Sequence, residues 1–361
     1  MPKIIMLVPT LTGGGAERVA ALWASGFCDI GYDVLLALSD DDSPITYTPN
    51  KKVQIKYITS HSKCRIIRYI GRLIKLRNII RSEKPNYLIG VMARYSFWMY
   101  ISSLGLHIPI IYTDHSSWEV PHGKKMPWEL KFLRFHFSHF YDHVTVLTQA
   151  DMNVIGKRIK QVSVLPNPLS FDPANDIPQK ENVVLACGRL DEWEYKGFDL
   201  LIKAWGKVAP KSKGWRLQIV GGSPTGKGLH FLQNLSEEEG VSDSVDFPGY
   251  CKDVLPLYRK SSIFILSSRY EGFGMVLIEA MSQGCACIAC DFKGRQKEII
   301  TSDSEGMICC CNDVEALSKS INSMIHNSTY RENVRQAAIE RSRYYQVSHI
   351  MKSWNDILTK I

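Results

Sequence analysis

Lys3 to Val8 is a short, unbroken apolar run suited to a strand buried on both faces, and Thr12, Gly13, Gly14 and Gly15 follow it closely. Residues 16–22 then read as helix. Strand, glycine turn and helix in that order confine the chain to a doubly wound parallel α/β architecture. Residues 34–38, 87–91, 108–112 and 142–147 are predicted as further strands, with helical segments between most of them. The pattern restarts later, with strands over 183–187, 215–220, 245–247, 263–266 and 285–290 and helices over 198–208, 229–239 and 275–282. Two βα series in 361 residues predict two domains rather than one large sheet. The joint falls near Pro166-Asn167-Pro168, which gives domains of 1–167 and 168–344. A last helix, roughly 349–359, carries Ile350, Met351, Trp354, Ile357 and Leu358 on one face, and the terminal segment 345–361 is expected to pack back on the first domain.

The most specific local signal runs from Glu271 to Glu279. Gly272 and Gly274 stand beside the first carboxylate, the apolar residues Met275 to Ile278 follow, and Glu279 lies inside the helix they start. A glycine loop opening a helix turns backbone N–H groups toward an anion. Each carboxylate can accept hydrogen bonds from hydroxyls of a sugar or a ribose.

With these segments the chain resembles the retaining glycosyltransferases of family 4, whose fold is GT-B: two Rossmann-like domains facing across a cleft. The resemblance covers nearly the whole length. It includes Gly13 to Arg18, Val146 to Asp151, Val164 to Pro168, Gly188-Arg189-Leu190, Lys196 to Leu201, Val220-Gly221-Gly222, Glu271 to Glu279, and Asp291 to Ile300. It implies a nucleotide-diphosphate sugar donor, with UDP and a hexose or N-acetylhexosamine as the family's usual case. Glu279 would bind the ribose hydroxyls, Glu271 would sit beside the donor sugar, and the backbone of Gly272, Phe273, Gly274, Met275 and Val276 would line the sugar and phosphates. The retaining chemistry it implies fits a front-face displacement, since no carboxylate is an obvious nucleophile with an acid partner opposite it.

Arg189 and Lys196 form a second constellation. Two cations beside a departing diphosphate stabilise the charge that collects on the leaving oxygen, so no metal or other cofactor is expected. Relatives often have five positions from the arginine to the lysine, whereas here there are seven. The extra residues fall in the Asp191-Glu192-Trp193-Glu194-Tyr195 segment, which is expected either to move Lys196 or to bulge outward. Gly14 and Gly15 would approach the donor from the first domain. His115, after a predicted strand end, would contact the donor sugar, with Asp114 beside it. Arg295-Gln296 replaces the Gly-Pro of many relatives. Asp40-Asp41-Asp42 superficially matches the metal motif of another transferase fold and reads better as a solvated loop.

Charge is unevenly spread. Residues 1–170 hold 21 Lys and Arg against 12 Asp and Glu, while the remainder holds 23 against 24. Within 63–84, Arg65, Arg68, Arg72 and Lys75 share one helical face beside Ile66, Tyr69, Ile70, Leu73, Leu76 and Ile80. Residues 124–140 mix Lys124 and Lys125 with Trp128, Phe132, Phe135, Phe137 and Phe140. Both suit an anionic membrane surface, and together with the family resemblance they point to a lipid-diphosphate-linked glycan acceptor. No nucleic-acid module appears. No apolar run reaches the roughly 20 residues of a membrane span, and the glycine turn after Val8 does not read as a cleavage site. A cytoplasmic protein peripheral on the inner membrane face is therefore expected. The clusters Cys285, Cys287, Cys290 and Cys309 to Cys311 lack zinc-site spacing and read as reduced thiols of buried strands. The leading reading is a transferase that extends a lipid-linked glycan for a surface polysaccharide or glycoprotein. Two others remain: a transferase with a soluble acceptor, and a catalytically silent nucleotide-sugar-binding or scaffold protein in a glycan assembly complex.

Overall fold

The computed structural model describes residues 1–121, 123–176 and 178–361. It divides into two compact units, Met1–Ser170 with Val347–Ile361 and Phe171–Gln346.

The first unit is built on a parallel sheet of β1 (Lys3–Val8), β2 (Asp33–Leu38), β3 (Gln54–Tyr57), β4 (Tyr87–Val91), β5 (Ile110–Thr113), β6 (His143–Val146) and β7 (Val162–Val164). Its order is β3-β2-β1-β4-β5-β6-β7. The register sets Ile4 against both Val34 and Tyr87, and Leu88 against Ile110. β1 and β2 are buried along nearly their whole length, as their apolar runs require. The chain reverses direction across the sheet between β1 and β4, so ligands of such a fold bind at the carboxyl ends of those strands. The two strands not foreseen from sequence, β3 and β7, are the sheet edges and lack a buried core pattern. Short edge strands of mixed polarity carry little periodicity.

The terminal helix Val347–Leu358 belongs to this unit. Trp354 is fully buried, with its ring 5.0 Å from Trp23 and 5.2 Å from Phe27. The Tyr87 hydroxyl donates to the Leu358 carbonyl at 3.0 Å.

The second unit holds a parallel sheet of β8 (Glu181–Cys187), β9 (Arg216–Val220), β10 (Val245–Gly249), β11 (Ser261–Leu266), β12 (Ala286–Asp291) and β13 (Met307–Cys310), ordered β10-β9-β8-β11-β12-β13. Its reversal lies between β8 and β11. Each sheet with its flanking helices makes a Rossmann-like unit. All ten cysteines are free thiols. Cys285, Cys287, Cys290 and Cys309 are buried, while Cys310 is exposed at the end of β13. Burial raises the Cys285, Cys287, Cys290 and Cys309 thiols above their ordinary range.

Candidate functional site

In the second unit the predicted residues gather at the sheet's reversal. Gly188 and Arg189 leave the end of β8, and Ser267 to Glu271 leave the end of β11. The five-residue stretch after Leu190 does not bulge free. It folds as a tight turn, Leu190–Glu192, followed by one helical turn, Trp193–Lys196. Asp191 accepts from the amides of Thr225 at 2.9 Å and Gly228 at 3.1 Å and from the Ser223 hydroxyl at 2.6 Å. It thereby serves the open start of the helix Lys227–Glu238, whose N-cap glycine offers no side chain. These bonds, Ser223 foremost, hold the Asp191 carboxyl well below the usual range. Trp193 stacks on Phe231 at 4.0 Å.

The short helix ends at Gly197, which is left-handed with φ 63°. A Cβ there would lie 2.0 Å from the Ser267 carbonyl, so only glycine lets the two segments close up. The Ser267 hydroxyl donates to the Lys196 carbonyl at 2.8 Å. In consequence Lys196 Nζ meets Glu271 Oε2 at 2.9 Å, and the Ser268 hydroxyl donates to the same oxygen at 3.3 Å. Glu271 raises the Lys196 ammonium above its ordinary pKa against the opposing effect of burial. The loop before Glu271 is fastened by Arg269, which forks onto Asp199 at 2.6 and 2.7 Å and donates to the Glu194 carbonyl. Arg189 is more open, 62% exposed, and pairs with Glu192 at 3.0 Å.

Gly274, at φ 102°, is the N-cap of the helix Met275–Ser282 and brings no side chain to its free amides. Those amides, at Met275 and Val276, are the anion-seeking groups of the loop. The Phe273 ring is buried and lies 5.6 Å from Tyr345, leaving its backbone as the part available to a ligand. Glu279 is only 1% exposed, and the buried Tyr258 hydroxyl donates to its Oε2 at 3.1 Å. Burial, then the Glu279 charge, push the Tyr258 phenol far up. Arg295 is likewise wholly buried, its guanidinium 5.0 Å from the Phe292 ring. It is part of the unit's interior rather than a surface charge.

In the first unit, the loop after β1 reaches Gly13, at φ 86°, and Gly14, whose amide donates to the Thr12 carbonyl; Gly15 opens the helix Gly15–Asp29. His115 follows β5. Its Nδ1 lies 3.1 Å from Asn167 Oδ1, its Nε2 lies 3.3 Å from the Thr113 hydroxyl, and its ring is 5.0 Å from Trp23. Burial brings the imidazole pKa down to about 4 against the pull of Asp114, so it is neutral near pH 7. A neutral ring donates from one nitrogen and accepts at the other. Asp114 itself faces inward and pairs with the buried Arg134 at 2.7 Å.

Arg134, Asn167, Tyr258 and the Arg269–Asp199 fork escaped the sequence reading, because each acts through a partner distant in the chain. Met92 escaped it too. This non-glycine residue stands at φ 71° at the end of β4, beside the first sheet's reversal, a conformation costing about 1–3 kcal/mol.

The basic helix Arg65–Glu83 is divided by its packing. Leu76 and Ile80 are fully buried in the unit's core, which removes them from the surface stripe expected from sequence. Ile66, Ile67, Ile70 and Ile74 stand 48–70% exposed, beside the exposed cations Lys63, Arg65 and Arg68. Lys75 and Arg77 instead bond backbone carbonyls of their own unit. In the second stretch Trp128, Phe132 and Phe140 are exposed, but Phe135 packs on Trp118 and Phe137 on Phe97. Among the described residues, no helix is long and apolar enough to cross a membrane. Asp40, Asp41 and Asp42 lie within ion-sharing distance of one another. Asp41 is engaged by Thr59 at 2.7 Å and Asp40 by Ser43 at 2.7 Å.

Residues 13–172 match the family described as Glycosyltransferase Family 4, and residues 170–341 match Glycosyl transferases group 1. The amylovoran biosynthesis glycosyltransferase AmsD of Erwinia amylovora is 31% identical over 99% of this chain and 100% of its own. The chain belongs to the family-4 glycosyltransferases. Another relative, an α-1,4-N-acetyl-D-galactosaminyltransferase of Campylobacter jejuni named for an undecaprenol-diphosphate-linked acceptor, is 25% identical over 100% of this chain and 99% of its own. Among solved structures, Anabaena HepE in complex with UDP and glucose superposes with a TM-score of 0.81 at 18% identity, covering both chains fully. At that identity the superposition speaks for the GT-B fold alone.

Proposed function

We propose that this glycosyltransferase moves a hexose or N-acetylhexosamine from a UDP-sugar to a lipid-diphosphate-linked glycan, with retention, in surface polysaccharide or glycoprotein glycan assembly. The observation that carries the reading is the Lys196–Glu271 pair at 2.9 Å, held at the carboxyl ends of β8 and β11 beside the uncapped helix start at Gly274. An ammonium, a nearby guanidinium at Arg189 and free backbone amides suit a diphosphate; a carboxylate fixed beside them suits a sugar hydroxyl. The named acceptor of the Campylobacter relative supports the lipid-linked glycan.

In this mechanism the acceptor hydroxyl oxygen attacks the anomeric carbon from the side of the leaving group. The bond from that carbon to the diphosphate oxygen breaks with its electron pair, and a diphosphate oxygen takes the hydroxyl proton. Arg189, Lys196 and the amides of Met275 and Val276 stabilise the departing charge. Glu271 orients the sugar, Glu279 accepts from the ribose, and the neutral His115 hydrogen-bonds a sugar hydroxyl. Gly14 and Gly15 permit close backbone approach.

The exposed isoleucines beside Lys63, Arg65 and Arg68, with Trp128, Phe132 and Phe140, support reversible docking on the anionic inner face of the cell membrane. A release assay with UDP- and GDP-linked hexoses and N-acetylhexosamines tests the donor, with preference for a UDP-sugar expected. Proton NMR of the first-formed product tests the stereochemistry: an α-linkage from an α-linked donor is expected, and a β-linkage overturns retention.

A further inference from the structure

We infer that Arg134 is a positioning residue for His115, its guanidinium fixing the backbone on both sides of the imidazole. The inference rests on the proposed role of His115 at the donor sugar.

Arg134 lies in a single π-helical turn, Leu133–Phe137, that continues the short helix Trp128–Phe132. Such a turn inserts a residue into the helical repeat and is frequent at functional sites. Here Leu133 and Arg134 point inward and are buried, while Phe132 and His136 on either side are exposed. The Arg134 side chain is 2% exposed, as is that of Asp114.

Besides the Tyr112 hydroxyl on β5, the guanidinium engages residues 114, 116 and 117 of the turn that carries His115. Nε donates to Asp114 Oδ2 at 2.7 Å and Nη2 to Asp114 Oδ1 at 2.9 Å. Nη1 donates to the Ser117 carbonyl at 2.7 Å, and Nη2 also reaches the Ser116 carbonyl at 3.3 Å and the Ser116 hydroxyl. Its central carbon lies 5.3 Å from the centroid of the Trp118 ring. Asp114 in turn accepts from the Ser116 amide at 3.1 Å and from the Tyr112 hydroxyl. A second buried carboxylate, Asp151, takes the Trp118 amide at 2.8 Å. Residues 114, 116 and 117 are thus gripped by one side chain, and His115 is the residue left between them, bonded to Thr113 and Asn167.

A buried ion pair is a poor route to stability alone, because well-packed apolar side chains usually do as well. What the arginine fork adds is direction: its donors have fixed angles, and they meet a carboxylate and two carbonyls of one turn. An imidazole that must meet a sugar hydroxyl within a few tenths of an ångström needs that kind of support.

The test uses the full chain with R134K, which keeps the charge without the fork, and the double variant D114N/R134Q, which removes both charges together so that neither is stranded. Side-chain NMR of labelled histidines follows His115 from pH 8 to 3.5, UDP binding is measured by calorimetry, and UDP release from UDP-hexoses and UDP-N-acetylhexosamines gives kcat and KM. In the wild type, His115 is expected to titrate near pH 4. In R134K its midpoint should rise toward the ordinary value of about 6.5, and in both variants kcat should fall roughly 10- to 100-fold with the UDP Kd within about twofold. A wild-type His115 that already titrates near 6.5, or folded variants with unchanged titration and kcat, overturns the positioning role. If the titration moves as expected while kcat stays level and H115A is also fully active, the positioning stands and the proposed role of His115 at the sugar falls.

Discussion

Glu271 and His115 show how a side chain's neighbours set its chemistry. Glu271 receives an ammonium and a hydroxyl on one oxygen, which fixes the carboxylate toward whatever the loop binds. Glu271→Ala should lower kcat about 100- to 1,000-fold while leaving UDP affinity within a few-fold, read by UDP release and calorimetry. An unchanged kcat would exclude the carboxylate from the reaction. For His115 the folded-state pKa of about 4 lies below the ordinary 6.5. As pH falls through that interval the unfolded chain takes up the proton first, so stability present above pH 6.5 is lost down to about pH 4. His115→Gln should therefore lose less stability than the wild type between pH 7 and 4.5, by on the order of 2 kcal/mol in urea unfolding. His143, also lowered by burial, titrates in both proteins and cancels from the difference.

The helix Arg65–Glu83 carries two faces that its sequence alone does not separate. Its C-terminal half is core, through Leu76 and Ile80, and its N-terminal half presents isoleucines and cations to solvent. Replacing Ile66, Ile67 and Ile70 together by Ser should cost little in unfolding, because these side chains are 70, 60 and 48% exposed. The same variant should lose most co-sedimentation with phosphatidylserine vesicles at low salt. Charge attraction alone would leave that binding intact. The stretch at 191–195 makes a similar point. Trp193 and Asp191 find partners on the helix Lys227–Glu238, and these contacts, not the count of residues, determine where Lys196 ends.

On the scale of the whole molecule, the chain returns to its first unit after completing the second, and the helix Val347–Leu358 closes a cluster around Trp23 and Phe27. Trp354→Ala should cost the first unit about 3–5 kcal/mol. Hydrogen exchange should report it in β1 and β2, whereas β8 and β11 keep their protection. Equal loss in both sheets would contradict this placement of the helix.

The βα order, the strands of both sheet centres and the parallel architecture were determined by the sequence itself, because central strands buried on both faces must be continuous apolar runs. The glycine loop between Glu271 and Glu279 was legible for a related reason: its geometry is local, and glycine's freedom shows in the residue type. The edge strands β3 and β7, the strained Met92, the grip of Arg134 on Asp114, the Tyr258–Glu279 contact and the path that carries Lys196 to Glu271 were decided only by tertiary structure. Each depends on atoms tens of residues apart in the chain, and neither periodicity nor composition encodes which of two charged residues will meet. The exposed isoleucines near Arg65 belong to the same class, for an apolar residue on a helix declares its face only when the rest of the unit has packed.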